Sequence, residues 1–304
     1  MSEPERPNPT NATEQPRAAA DATGRSTGPD APVRVEGLVK HFGRHRVLKG
    51  ITIAFPRGKT TVVLGPSGCG KSVMLKHLVG LLRPDRGQVF FESQRIDTLS
   101  ERKFAPIRRN FGFLFQQGAL FDSMSVRDNI AFPLRELERG GVYDEEHRVR
   151  RVLRLVGLEE TIDKFPSELS GGQQKRVALA RAIILDPKVI LYDEPTTGLD
   201  PIRSDVINEL ILKLEHELKV TSIVVTHDLI SAFKVADHMV MLHEGHVVLE
   251  GTPEEFRNSD NPIVGRFLRG EASDDELRAI REVTSANLDA AKSVKSKSAS
   301  GGIR

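Results

Sequence analysis

The 304-residue chain has no tryptophan, two tyrosines and a single cysteine. One thiol, Cys69, excludes an intramolecular disulfide, so packing and hydrogen bonding must hold the fold; its place in a glycine-rich run suits a small residue with a backbone role better than a redox centre. No apolar run approaches the roughly 20 residues that a membrane-crossing helix needs, and nothing near the start resembles the apolar stretch of a secretory signal. These absences predict a chain that starts and stays in the cytosol. Neither sign of charge dominates: 44 basic and 42 acidic side chains give a net charge of +2, which is no footprint for nucleic acid. What is present, 38% hydrophobic and 28% charged residues, suffices for a full core.

Large apolar residues are also scarce at both ends. Residues 1–32 hold six prolines and a net charge of −2, a composition that cannot offset ordering entropy, so a disordered N-terminal tail is expected there. The stretch 271–304 balances six acidic against six basic residues and ends in the Ser/Lys/Gly-rich run KSVKSKSASGGIR, so it reads as a mostly disordered extension. Within it, Leu277, Ile280, Val283 and Leu288 stand at loosely helical spacing behind Asp274 and Asp275, which leaves a short helix open. The ordered domain is expected over 33–270, with no internal repeat.

Inside that domain the run GPSGCGKS, Gly65 to Ser72, fits G-x-x-x-x-G-K-[ST]. The apolar strand TTVVL (Thr60 to Leu64) precedes it, and Val73, Leu75, Leu78, Val79 and Leu82 follow near helical spacing. Gly65, Gly68 and Gly70 let backbone N–H groups turn toward a phosphate, and the helix N-terminus adds its positive end. Lys71 would reach the β- and γ-phosphates and Ser72 would hold Mg²⁺. A second strand, VILY (Val189 to Tyr192), ends in two acids: Asp193, suited to Mg²⁺ and its waters, and Glu194, suited to act as a general base on water. In LSGGQQKR (Leu169 to Arg176), Ser170 opens a helix with Val177, Ala180, Ile183 and Ile184 on its apolar face. Gly171 and Gly172 there allow close approach to an anion.

Gly65 to Ser72, Leu169 to Gln173 and VILYDEPTTGLD (Val189 to Asp200) together resemble an ATP-binding cassette (ABC) ATPase over about residues 33–270. The resemblance implies an α/β fold, a P-loop NTPase with a RecA-like core, a helical subdomain over about 117–187 and a small antiparallel β subdomain. It implies that Gly65, Pro66, Ser67, Gly68, Cys69, Gly70, Lys71, Ser72 and Val73 bind ATP, with Phe42 stacking on adenine. Ser72, Gln116 and Asp193 would hold Mg²⁺, and Glu194 and His227 would be catalytic. Ser170, Gly171, Gly172, Gln173 and Asp200 would act across a head-to-tail dimer with a second copy, so that a monomer would be inactive. Two departures are visible: Cys69 stands where Ser or Ala is usual, and Lys59 where many members have Glu.

Between Leu120 and Glu168 the pattern predicts a helical insert, with a helix over Asp144 to Val156 stopped by Gly157 and with Arg148, Arg150, Arg151 and Arg154 as its solvated face. GALFDSMSVRDNIAFPLRE, GLLRPDRGQVFF and NPIVGRFLRG are most similar to the Mla- and Mce-type ATPases of bacterial phospholipid transport. That subgroup implies an inner-membrane permease, a Mce-type lipid-binding protein, and a cytoplasmic place on the inner face of the inner membrane. It also implies that 271–291 dock on the second subunit. An importer ATPase for amino acids or other solutes, and a soluble cassette such as one of iron–sulfur assembly, stay open as alternatives.

Overall fold

Alternate residues of each central strand enter different cores. In β3 (Thr60–Leu64), Val62 and Leu64 pack into one hydrophobic cluster and Val63 into another; in β7 (Val189–Asp193), Ile190 and Tyr192 join the first, Val189 and Leu191 the second. Both strands, like β8 (Thr221–Val225), are buried along their whole length, as strands covered on both faces must be. The computed structural model describes residues 30–137 and 144–272.

The remaining strands are β1 (Val33–Phe42), β2 (His45–Phe55), β4 (Arg86–Phe91), β5 (Gln94–Arg95), β6 (Phe111–Leu114), β9 (His238–His243) and β10 (His246–Gly251). They form a four-stranded antiparallel sheet, β2-β1-β4-β5, and a six-stranded sheet, β10-β9-β3-β8-β7-β6, parallel except for β10 at its edge. The helices are α1 (Lys71–Leu78), α2 (Glu101–Arg108), α3 (Val126–Leu137), α4 (Glu145–Leu155), α5 (Gly171–Ile183), α6 (Pro201–Leu218), α7 (Leu229–Val235), α8 (Pro253–Arg257) and α9 (Pro262–Arg269). One core lies between the two sheets around α1; the other unites the opposite face of the large sheet with α3, α4, α5 and α6. This is the α/β fold with a small antiparallel sheet that the family resemblance implied, together with the helical insert that the apolar pattern predicted.

Three local details refine the sequence reading. The hydrogen-bonded chain begins ahead of residue 33: Arg57 N donates to Asp30 O at 3.1 Å and Glu92 N to Pro32 O at 2.6 Å. Helix α1 stops at Leu78 although the apolar spacing continues to Leu82, because Gly80 adopts φ +70° with Phe104 packed where a Cβ would stand. Asp144 caps α4, its carboxylate accepting from His147 N at 3.0 Å, but the arginines of α4 are more than a solvated face. Arg148 donates to Ile184 O (2.9 Å), Arg151 pairs with Asp186 (2.6 Å), and Arg154 pairs with Glu159 (3.0 Å), tying α4 to the chain around it. The tail stripe from Leu277 to Leu288 and residues 1–29 lie outside the described residues.

Candidate functional site

The parallel strands β3, β7 and β8 end at the same edge, and each delivers part of one cleft there. After β3 the chain turns through Gly65 (φ +148°), Gly68 (φ +80°) and Gly70 (φ +107°) into α1. At Gly65 a side chain is excluded by space as well as by φ, since a Cβ would run into the backbone oxygen Leu242 O; at Gly70 a Cβ would stand 2.5 Å from Leu48 Cδ2, which would have to shift. The loop is therefore a bare backbone cradle at a helix N-terminus, the arrangement that binds phosphate. Lys71, buried, lays its ammonium across the cradle and donates to Gly65 O (2.6 Å) and Pro66 O (3.0 Å).

Beside it, Ser72 Oγ donates to Asp193 Oδ1 at 2.7 Å. Burial raises the Asp193 carboxyl above its ordinary value; the Ser72 hydrogen bond works against that rise, and the neighbouring Glu194 charge adds to it. Glu194 has left the strand: at φ +50° it sits in the left-handed region that non-glycine residues rarely occupy, and its N–H is held by Val225 O at 2.9 Å. This turn, rather than strand alternation, separates Glu194 from Asp193. His227 comes from the loop after β8, with Nδ1 2.9 Å from Glu194 Oε2. The loop continues into α7, capped by Asp228, which accepts from Ile230 N at 3.0 Å.

Phe42, Ser67, Gly68, Gly70, Lys71, Ser72, Val73, Gln116, Glu194 and His227 line this single cleft of about 440 Å³. Asp193 lies beneath it through Ser72. Phe42, at the tip of the β1–β2 hairpin, is 48% exposed, so its ring is available to a planar ligand. Pro66 and Cys69 line an adjoining hollow of about 430 Å³ behind the loop. Burial pushes the Cys69 thiol above its ordinary value, while the Lys71 charge opposes the rise.

The other group is elsewhere. Ser170 caps α5, accepting from Gln173 N at 3.4 Å while Gln173 Oε1 accepts from Ser170 N at 2.9 Å. Gly172 lies against Arg203, whose Nε is 3.2 Å from the Asp200 carboxylate that caps α6. None of Ser170, Gly171, Gly172, Gln173 and Asp200 lines the cleft that holds Lys71. Sequence reasoning missed His45 and Val47, which line the cleft beside Phe42, and Lys175, a buried lysine that donates to Gln116 O. The hairpin turn at Gly43 was the available signal for His45, which pairs with Phe42; nothing local marked Lys175.

Residues 48–197 match the family described as ABC transporter. The chain is 44% identical over 256 residues to the probable ribonucleotide transport ATP-binding protein mkl of Mycobacterium tuberculosis, covering 84% of this chain and 70% of that protein. It is 41% identical over 244 residues to the intermembrane phospholipid transport system ATP-binding protein MlaF of Haemophilus influenzae, covering 79% of this chain and 91% of that one. Among solved structures, a dimeric ATP-binding cassette in a post-hydrolysis state bound to ADP and Pi matches with a TM-score of 0.67 at 34% identity, over 73% of this chain and 98% of that chain. A bare phosphate cradle backed by a lysine, at this level of identity to transport ATPases, places the chain in the ABC transporter family as an ATP-hydrolysing cassette.

Proposed function

We propose that this chain powers phospholipid transport across a bacterial envelope, with two copies closing head to tail on ATP. The observation that carries the dimer is the separation just described: the Lys71 cleft and the Ser170 helix start are both built to approach an anion, yet they do not meet within one chain. A second copy, turned head to tail, brings the Ser170, Gly171, Gly172 and Gln173 of one subunit onto the ATP of the other, with Asp200 at the crossing. The dimeric state of the solved cassette relative supports this reading.

In this assembly the residues divide the work by chemistry. Phe42 stacks on adenine, and the backbone from Gly65 to Val73 cradles the phosphates with Lys71 adding charge. A hydroxyl, a carboxylate and an amide (Ser72, Asp193, Gln116) are hard donors that suit Mg²⁺, which keeps several waters and binds largely through substrate phosphates. Held by these residues, Mg²⁺ would supply positive charge to the phosphates of the nucleotide. Glu194 takes the proton from the attacking water, and His227, in contact with Glu194, holds the γ-phosphate end of the site. Loss of the γ-phosphate removes the bridge between subunits, so turnover becomes motion.

The lipid assignment rests on the MlaF relative, whose name states phospholipid transport; the mkl relative, whose name states ribonucleotide transport, favours a solute reading. Among the described residues no helix is long and apolar enough to cross a membrane. In the phospholipid reading a permease supplies the membrane path and a Mce-type lipid-binding protein completes the system. The subunit then sits peripherally on the inner face of the inner membrane. The test is to purify the chain with its permease and extract what travels with them. Co-purified phospholipid, with ATPase activity above that of the lone subunit, is the expected result; a bound ribonucleotide cargo or a solute-binding partner overturns the lipid reading.

A further inference from the structure

Helix α5 turns a buried lysine and a half-buried arginine toward the backbone of the loop after β6. Lys175, 7% exposed, donates from Nζ to Gln116 O. One helical face further on, Arg181 Nη2 donates to Gly118 O at 2.9 Å, and its guanidinium lies 5.6 Å from the Phe121 ring centroid. Between them, a Cβ added to Gly118 would meet Ala178 Cβ at 3.5 Å, so positions 175, 178 and 181 present one face to the loop after β6. Among the described residues neither cation has a carboxylate within ion-pair distance. The loop itself is tightly wound: Gly118 N donates to Phe115 O at 2.8 Å, and Gly118 (φ +72°) and Ala119 (φ +51°) are both left-handed.

Burying an ammonium without a paired acid is costly, and its desolvation draws the Lys175 amine below its ordinary value although the Asp193 and Glu194 charges oppose this. Apolar side chains would fill the same space at less cost. The cations differ from apolar residues in gripping carbonyls, and the carbonyls they grip belong to Gln116 and to the residue two beyond it.

We propose that Lys175 and Arg181 are positioning residues, a two-point clamp that fixes the 116–118 backbone to α5 and thereby sets where Gln116 stands at the nucleotide. The functional half of this rests on the reading of Gln116 as a Mg²⁺ contact. The clamp gives α5 two ends with different duties: Ser170 at its start faces the partner's ATP, and the clamped loop faces the chain's own. A shift of α5 on dimer closure then carries Gln116 with it, and an unclamped loop lags behind.

The test uses the chain in five versions: wild type, Lys175→Met, Arg181→Met, Lys175→Arg and Gln116→Ala. Hydrogen–deuterium exchange is followed on peptides covering 113–121, with peptides from β3 and β8 as folding controls, and Mg²⁺ is titrated against binding of a fluorescent ATP analogue. Both Met variants are expected to speed exchange at 116–119 by about tenfold with the controls unmoved. They should also raise the Mg²⁺ concentration for half-maximal binding by about fivefold, and Lys175→Arg should restore both. A merely structural lysine would loosen the control peptides as well and leave the Mg²⁺ midpoint in place. Unchanged exchange at 116–119 in both Met variants overturns the clamp. Faster exchange with an unmoved Mg²⁺ midpoint, in these variants and in Gln116→Ala alike, supports the clamp and overturns the Mg²⁺ reading of Gln116.

Discussion

His227 Nδ1 stands 2.9 Å from Glu194 Oε2, so the residue at the end of β7 and the residue past the end of β8 meet over the mouth of the phosphate loop. The same carboxylate oxygen is approached by Thr197 Oγ1 at 3.4 Å, and the backbone behind it is fixed by Val225 O. Glu194 is thus held from three sides and is only 8% exposed, which is how a single carboxylate can be aimed at one water.

Replacing Glu194 by Gln keeps the shape and removes the base. We expect nucleotide affinity within a few-fold of wild type and turnover lowered by about 10²- to 10⁴-fold. Lys71→Ala should show the reverse emphasis, losing binding itself, since its ammonium already spans the cradle. Steady-state ATPase rates and nucleotide affinities of the purified chain decide the matter; substantial turnover by the Gln variant would remove Glu194 from the role of base.

Much of this site was legible because its parts are local. The strand Thr60–Leu64, the glycine turns and the helix start are contiguous, and each reports its own conformation through φ requirement or apolar spacing. The helix over Asp144 to Val156 declared itself by apolar residues at Val149, Val152, Leu153 and Val156 and by the stop at Gly157. Where the reading strayed, the cause was tertiary. Leu82 fits the period of α1, yet Phe104 from a later helix closes the space beside Gly80 and ends it. Lys175 looks like any polar residue of a surface helix until the loop after β6 is laid on it, and the arginines of α4 find their partners in Ile184, Asp186 and Glu159, beyond the reach of periodicity. Glu194 stood out as the second acid after an apolar strand, but its left-handed backbone was not visible in the strand pattern.

The glycines of the phosphate loop should not be equivalent. Gly68→Ala meets nothing within 4 Å, so it pays only for a left-handed backbone, about 1–2 kcal/mol. Gly65→Ala carries an unfavourable φ of +148° and drives its methyl into Leu242 O, a backbone atom that cannot step aside. We therefore expect Gly65→Ala to lose more stability in urea unfolding than Gly68→Ala and to lose nucleotide binding as well. Equal unfolding midpoints for the two variants would contradict the placement of Gly65 against β9.

Cys69 gives a chemical handle on the same loop. It is buried in the hollow behind the cradle, and burial raises its thiol, so the reactive thiolate is scarce near neutrality and increases as pH rises. Maleimide labelling should therefore be slow at pH 7, accelerate toward alkaline pH more steeply than for a model thiol, and be suppressed by MgATP. Mass spectrometry of the labelled chain reads this directly. Equal labelling rates with and without nucleotide would show that Cys69 is remote from the bound phosphates.

His77 supplies a pH dependence of stability. It lies on α1, 1% exposed, with Nδ1 2.7 Å from Val73 O and with Nε2 lacking a hydrogen-bond partner. In that geometry Nδ1 donates to the Val73 carbonyl. Burial lowers the ring's pKa from 6.5 and Lys40 lowers it further, while the Val73 and Arg83 backbone and the Asp85 charge pull it back up. The sign follows from which state takes the proton more readily. The unfolded chain does, so stability is full above about pH 7 and declines as pH falls through the unfolded value of about 6.5, until the folded value is also passed. For a domain of this size each kcal/mol lost in this way moves Tm by about 2–4 °C. His77→Met fills similar space and does not titrate. Differential scanning calorimetry between pH 7.5 and 5.5 should therefore show Tm falling more steeply in the wild type than in His77→Met, and parallel curves would show that His77 is not the group responsible.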